Sequence, residues 1–156
     1  MKCILFGAGG REAIIAKELA KGYELYSFMS HANPTIIEAT IQSGGQYIID
    51  GTYSEDIIRS FIQDNGIELC VVNSDSLLEK GIVDIAKSCG VYTFGPTREG
   101  ARIEWDKTYA ISIIKKVAPE SLVRTKIVSS IDELQSAVDI YEGADFVVKP
   151  NGLTRN

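Results

Sequence analysis

Strand-like apolar runs alternate with helix-like stretches through the first 96 residues, and that alternation leaves the chain few possible architectures. The runs are KCILFGA (2–8), ELYSFMS (24–30), QYIID (46–50), ELCVVN (68–73) and VYTFGP (91–96). Between them, REAIIAKELAKG reads as a helix closing at Gly22, and PTIIEATIQSGG as a short helix. SEDIIRSFIQDNG reads as a helix capped by Ser54, with Ile57, Ile58, Phe61 and Ile62 on one face, and SLLEKGIVDIAKSCG as one further helix. ELCVVN is continuously apolar, as expected of a strand covered on both faces. Strands separated by helices of this length need crossover connections, which are right-handed and build a parallel sheet. The expected fold is α/β: a doubly wound parallel sheet over residues 1–96.

Beyond residue 96 the pattern changes. TREGARIEWDKTYAISIIKKVA reads as one long connecting helix ending near Pro119, assigned to 97–120. LVRTKIVSS (122–130) and ADFVVKP (144–150) read as strands flanking the helix SIDELQSAVDIYEG, which opens with a capping box, Ser130 and Glu133. Residues 121–156 thus look like the incomplete start of a second domain. Two strands and a helix are marginal alone. Ile127, Val128, Phe146 and Val147 are therefore expected to pack on the first domain, to drive self-association, or to stay mobile.

Charge and cysteine usage narrow the function classes. A net charge of −5 without a basic stripe argues against a nucleic-acid partner. The apolar runs are strand-sized, so no membrane span is expected. Three cysteines without a C-x-x-C, and no signal peptide, point to a reducing cytoplasm. The single histidine, His31, excludes a multi-histidine metal site and reads as a loop residue.

The loop GAGGRE follows the first strand. Its glycines allow a sharp turn and close approach of a ligand, the following helix N-terminus offers unpaired N–H groups, and Arg11 adds a planar fork of donors suited to phosphate. A dinucleotide fingerprint needs a third glycine where Glu12 stands. It also needs an acid closing the second strand, where the chain has Ser30 and His31. A P-loop lysine motif is absent. A sugar phosphate or other small phosphate remains, and a nucleotide-cofactor oxidoreductase is disfavoured.

Five segments, in order, carry a resemblance: GAGGREAIIAKEL, HANPT, VVNSDSLLEKGIVD, FGPTREGARIEWDKTYA and FVVKPNGL. Together they resemble the N-terminal portion of the phosphoribosylamine–glycine ligases (glycinamide ribonucleotide synthetases), members of the ATP-grasp superfamily. Ala13 stands where that family has His, and Asn73, Ser74 and Asp75 where it has Gly, Pro and Glu.

The resemblance implies a Rossmann-like domain followed by the beginning of an ATP-grasp domain. It also implies a cytoplasmic ligase of purine biosynthesis that joins glycine to phosphoribosylamine with ATP and Mg²⁺. Carried onto this chain, Gly9, Gly10, Arg11, Glu12, Asn33 and Asp75 would hold the ribose phosphate, and Lys107 and Lys149 would meet ATP. No catalytic or metal-ligating residue is implied within these residues. The family's closing glycine-rich loop and acidic metal ligands would follow NGLTRN, so activity is not expected of this chain alone. The competing expectation is a stand-alone, non-catalytic phosphate- or nucleotide-binding module.

Overall fold

The computed structural model describes residues 1–141 and 145–153. The expected helix end at Glu142 and Gly143, the strand start at Ala144, and residues 154–156 lie outside the described residues. The chain divides into two compact units, Met1–Ala101 and Arg102–Asn156.

The first unit is a parallel α/β sheet. Its elements are β1 (Lys2–Phe6), α1 (Gly10–Leu19), β2 (Glu24–Met29), α2 (Pro34–Gln42), β3 (Tyr47–Ile49), α3 (Glu55–Asn65) and β4 (Leu69–Val72). Then come α4 (Asp75–Glu79), α5 (Ile82–Ser88), β5 (Tyr92–Phe94) and α6 (Arg98–Trp105), and the unit boundary falls within α6. The five strands lie in the order β3-β2-β1-β4-β5, every neighbouring pair parallel. The expected doubly wound fold is therefore present, with all five strands near their expected positions.

Strand side chains alternate between faces. Cys3, Leu5, Leu25 and Met29 gather with Ala16 of α1 and with Ile36 and Ala39 of α2. Phe6 and Phe28 point the other way and stack at 5.4 Å, and Phe61 of α3 meets the edges of Tyr26 and Phe28. Helices thus cover both faces. Burying each of these Leu, Ile or Phe side chains contributes about 1.5–3 kcal/mol. One polar pair lies in this core: the hydroxyls of Ser27 and Thr40 meet at 2.6 Å, both fully buried. Each satisfies the other in a place water does not reach.

Helix boundaries depart from the sequence reading where one residue changes the local backbone. The expected helix over 76–90 is two helices, because Gly81 takes φ +79° between α4 and α5. α1 ends at Leu19, before Gly22. Ser54 holds the N-cap position of α3, but its side chain makes no capping bond.

The second unit contains α7 (Lys107–Val117), a 3₁₀ turn (Pro119–Ser121) and α8 (Ile131–Ile140). The single helix expected over 97–118 is broken at Asp106, whose backbone (φ −106°, ψ 92°) leaves the helical region and whose carboxylate accepts from the Tyr109 amide. α8 is capped as expected, Ser130 Oγ accepting from the Glu133 amide at 3.1 Å. The return bond runs from the Ser129 amide to Glu133 Oε2, one residue upstream of a standard box.

The strands expected at 122–130 and 144–150 do not form among the described residues. A strand exists through its ladder, and neither segment has a partner there. Val123 and Val147 remain 78% and 77% exposed.

Candidate functional site

In an open α/β sheet the crevice lies at the carboxyl ends of the strands where strand order reverses. Here that point falls between β1 and β4, paired with Phe6 opposite Val72. Two loops leave the sheet there, Gly7–Gly9 toward α1 and Asn73–Ser74 toward α4. Chain connectivity thus places the GAGGRE turn beside the NSD turn.

The glycine turn is held from beneath. Gly7 adopts φ +119°, and its amide donates to the Phe28 carbonyl at 3.0 Å. Glu12 is only 5% exposed, and its Oε2 accepts from the Gly9 amide at 2.8 Å. A Cβ on Gly7 would lie 2.7 Å from Glu12 Cγ, and one on Gly9 would lie 2.5 Å from Glu12 Oε2. The two glycines therefore accommodate the Glu12 side chain. Where a dinucleotide turn has its third glycine, this chain packs a carboxylate under the loop, which sets a negative charge beneath the turn.

Gly9 and Gly10 are exposed, and a Cβ on Gly10 would meet nothing within 4 Å. Arg11, in the first turn of α1, is exposed and has no hydrogen bond or ion pair among the described residues. Open helix N-terminal amides and an unengaged guanidinium form an anion-binding geometry.

Asn33 uses both ends of its amide within the protein. Its Oδ1 caps α2 by accepting from the Thr35 and Ile36 amides, and its Nδ2 donates to the Ala8 carbonyl at 2.9 Å. It ties the glycine turn to α2. Asp75 is half-buried in the first turn of α4, its carboxylate without a partner among the described residues. Asn73, read in the sequence only as a departure from the family pattern and given no site role, has its Oδ1 buried with no hydrogen-bond partner among the described residues.

Sequence reasoning also missed the loop after β3. Tyr53 has φ +53°, the only positive value at a non-glycine residue among those described. Its ring stacks on Phe28 at 5.3 Å, and Lys80 Nζ lies 5.4 Å from the ring centroid while donating to the Thr52 carbonyl. Burial pushes the Tyr53 phenol up, the Ser30 hydroxyl and amide oppose this, and the Glu12 and Asp50 carboxylates add to the rise. The phenol thus feels the charge under the glycine turn. Only a tertiary placement shows this, since GTYS reads as an ordinary turn. His31 is exposed beside Ser30, as a loop residue.

The two lysines belong to the second unit. Lys107 Nζ donates to the Gly152 carbonyl at 2.8 Å, whereas Lys149 is exposed and has no partner among the described residues. Two cationic side chains suit a polyphosphate. The described residues hold no group of three or more His, Cys, Asp or Glu side chains able to cage a metal. No helix among them is long and apolar enough to cross a membrane.

Comparison with known proteins bears on the family and the fold. The family model described as phosphoribosylglycinamide synthetase, N domain, matches residues 1–104. Phosphoribosylamine–glycine ligase of Pyrococcus horikoshii is 36% identical over 155 residues, covering 99% of this chain and 34% of its own length. The protein of the same name from Thermococcus kodakarensis is 34% identical over 154 residues, covering 99% of this chain and 35% of its own length. The chain thus spans about a third of the length of the curated relatives it matches. Among solved structures, N5-carboxyaminoimidazole ribonucleotide synthetase from Thermotoga maritima superposes with a TM-score of 0.64 at 16% identity, over 91% of this chain and 36% of that one, a likeness of fold. On the match of its first 104 residues, this chain belongs to the phosphoribosylglycinamide synthetase N-domain family.

Proposed function

We propose that this chain is the phosphate- and sugar-binding part of a phosphoribosylamine–glycine ligase. The exposed Gly9–Gly10 turn with an unengaged Arg11, at the switch point of the sheet, carries this reading. The α1 amides and Arg11 hold the phosphate, and Asp75 faces the sugar hydroxyls from the neighbouring loop. Glu12 and Asn33 shape the cradle from inside, fixing the Gly9 amide and the Ala8 carbonyl.

Lys107 and Lys149 are the side chains that would meet the ATP phosphates. ATP, when bound, supplies the phosphoryl group that activates glycine for attack by the amine of phosphoribosylamine. What these residues contribute is positioning and neutralisation of phosphate charge, which act only if the groups are held in place beforehand. Mg²⁺ belongs to the same reading of the longer relatives. Three free cysteines support a cytoplasmic location. Exposed Val123, Ile127 and Val147 support self-association through the second unit.

The test is titration of ribose 5-phosphate into the full chain and two variants. Arg11→Ala should weaken binding about tenfold, the scale of one charge-assisted contact. Gly10→Ala puts a methyl into open space, so folding should be unaffected while the methyl obstructs a phosphate seated on the turn. Unchanged affinity in both variants would remove the turn from the site.

A further inference from the structure

The second unit contains a polar clasp between two distant segments. Asn151 Nδ2 donates to Asp106 Oδ1 at 3.2 Å, and Asn151 Oδ1 accepts from the Thr108 amide at 3.1 Å. Lys107 Nζ donates to the next carbonyl along, Gly152, at 2.8 Å. Three consecutive residues at the start of α7 therefore hold two consecutive residues that follow Lys149. Asp106 is itself fixed: Oδ1 also accepts from the Tyr109 amide, and Oδ2 meets Arg102 Nε at 3.1 Å, with the guanidinium over the Tyr109 ring.

Both polar atoms of the Asn151 amide are used, and in opposite senses. Toward Thr108 it must accept, and toward Asp106 it must donate. A carboxylate at 151 could serve Thr108 but would set acceptor against acceptor at Asp106.

We propose that Asn151 is a positioning residue. By reading Asp106 and the Thr108 amide together, it fixes the register between the segment bearing Lys149 and the helix turn bearing Lys107, and so sets the spacing of the two lysines. This rests on the reading of those lysines as ATP ligands. The clasp keeps the lysines' backbones in one arrangement before the nucleotide arrives, which lowers the ordering cost of binding.

The test uses the full chain, with ATP as the probe and the fluorescence of Trp105, the single tryptophan. Thr108 amide exchange and the Asp106 carboxyl titration, both by NMR, report the clasp independently of ATP. Asn151→Asp should raise the Asp106 titration and weaken ATP about tenfold. Asn151→Ala removes the donor and the acceptor together without adding a charge, and should likewise speed Thr108 exchange and weaken ATP about tenfold. Either variant that opens the clasp yet binds ATP like the original protein would overturn the positioning role. Absence of saturable ATP binding by the original protein would overturn the nucleotide reading and this proposal with it. An unchanged Thr108 amide in Asn151→Ala would overturn the clasp alone.

Discussion

Glu12 Oε2 accepts from the Gly9 amide at 2.8 Å, and the same side chain occupies the space where side chains on Gly7 and Gly9 would otherwise stand, its Cγ at Gly7 and its Oε2 at Gly9. The loop is therefore glycine-rich for a reason internal to the protein as well as for any ligand above it. Gly7→Ala meets both a clash and a positive φ, and should cost about 1–3 kcal/mol of stability. Gly9→Ala should destabilise the protein less in a Glu12→Ala background than alone, because the clashing oxygen is gone. Denaturant unfolding of the double-mutant cycle measures this coupling, and strict additivity would contradict it.

The buried hydroxyl pair gives a second cycle. Thr40→Val leaves Ser27 Oγ unsatisfied in the core and should cost about 1–3 kcal/mol. Adding Ser27→Ala should recover part of that loss, since no polar atom then remains unpaired. Urea unfolding midpoints at constant m-value decide it.

Thiol reactivity should separate the cysteines. Burial pushes the Cys3 thiol up to about 12 and raises Cys70 as well, while Cys89 is only half-buried. At pH 8 a maleimide or disulfide reagent should label Cys89 in the folded chain, and the other two only on unfolding. Mass spectrometry of native labelling reads this directly, and equal labelling of Cys3 would contradict the buried β1.

Asp106 gives a pH dependence with a definite sign. The Tyr109 amide, then Asn151 and Arg102, hold its carboxyl below the ordinary carboxylate range. Its folded-state pKa is depressed, so its contribution is present above the unfolded carboxylate pKa and is lost as pH falls through the folded one. α7 should fray on acidification, with Thr108 and Tyr109 amide exchange accelerating as Asp106 protonates. In Asp106→Asn that acid-induced acceleration should disappear.

The centre of the sheet was legible in the sequence because β1 and β4 are buried and read as unbroken apolar runs, ELCVVN most plainly, whereas β3 and β5 lie at the edges and are partly exposed. The break at Gly81 was hidden because SLLEKGIVD keeps a helical apolar spacing across it. The break at Asp106 was hidden because TREGARIEWDKTYA is a good helix by composition, and the cap there is made by a side chain bonding to its own downstream amide. The segments at 122–130 and 144–150 have strand composition, but pairing is a tertiary property that composition does not supply. At the site, the GAGGRE turn and its Arg11 were readable as a phosphate cradle. The inward turn of Glu12, the bracing by Asn33 and the strained Tyr53 were not, because each depends on what lies across the loop in space.

In the proposed function a sugar phosphate sits over the turn between β1 and α1. Amide chemical-shift mapping of the full chain with ribose 5-phosphate tests it most directly. Saturable shifts are expected at Gly9, Gly10 and Arg11, with smaller ones at Asn73–Asp75 across the switch point, all absent with ribose alone. Saturable shifts confined to other amides, or none at Gly9–Arg11 at millimolar ligand, would contradict it.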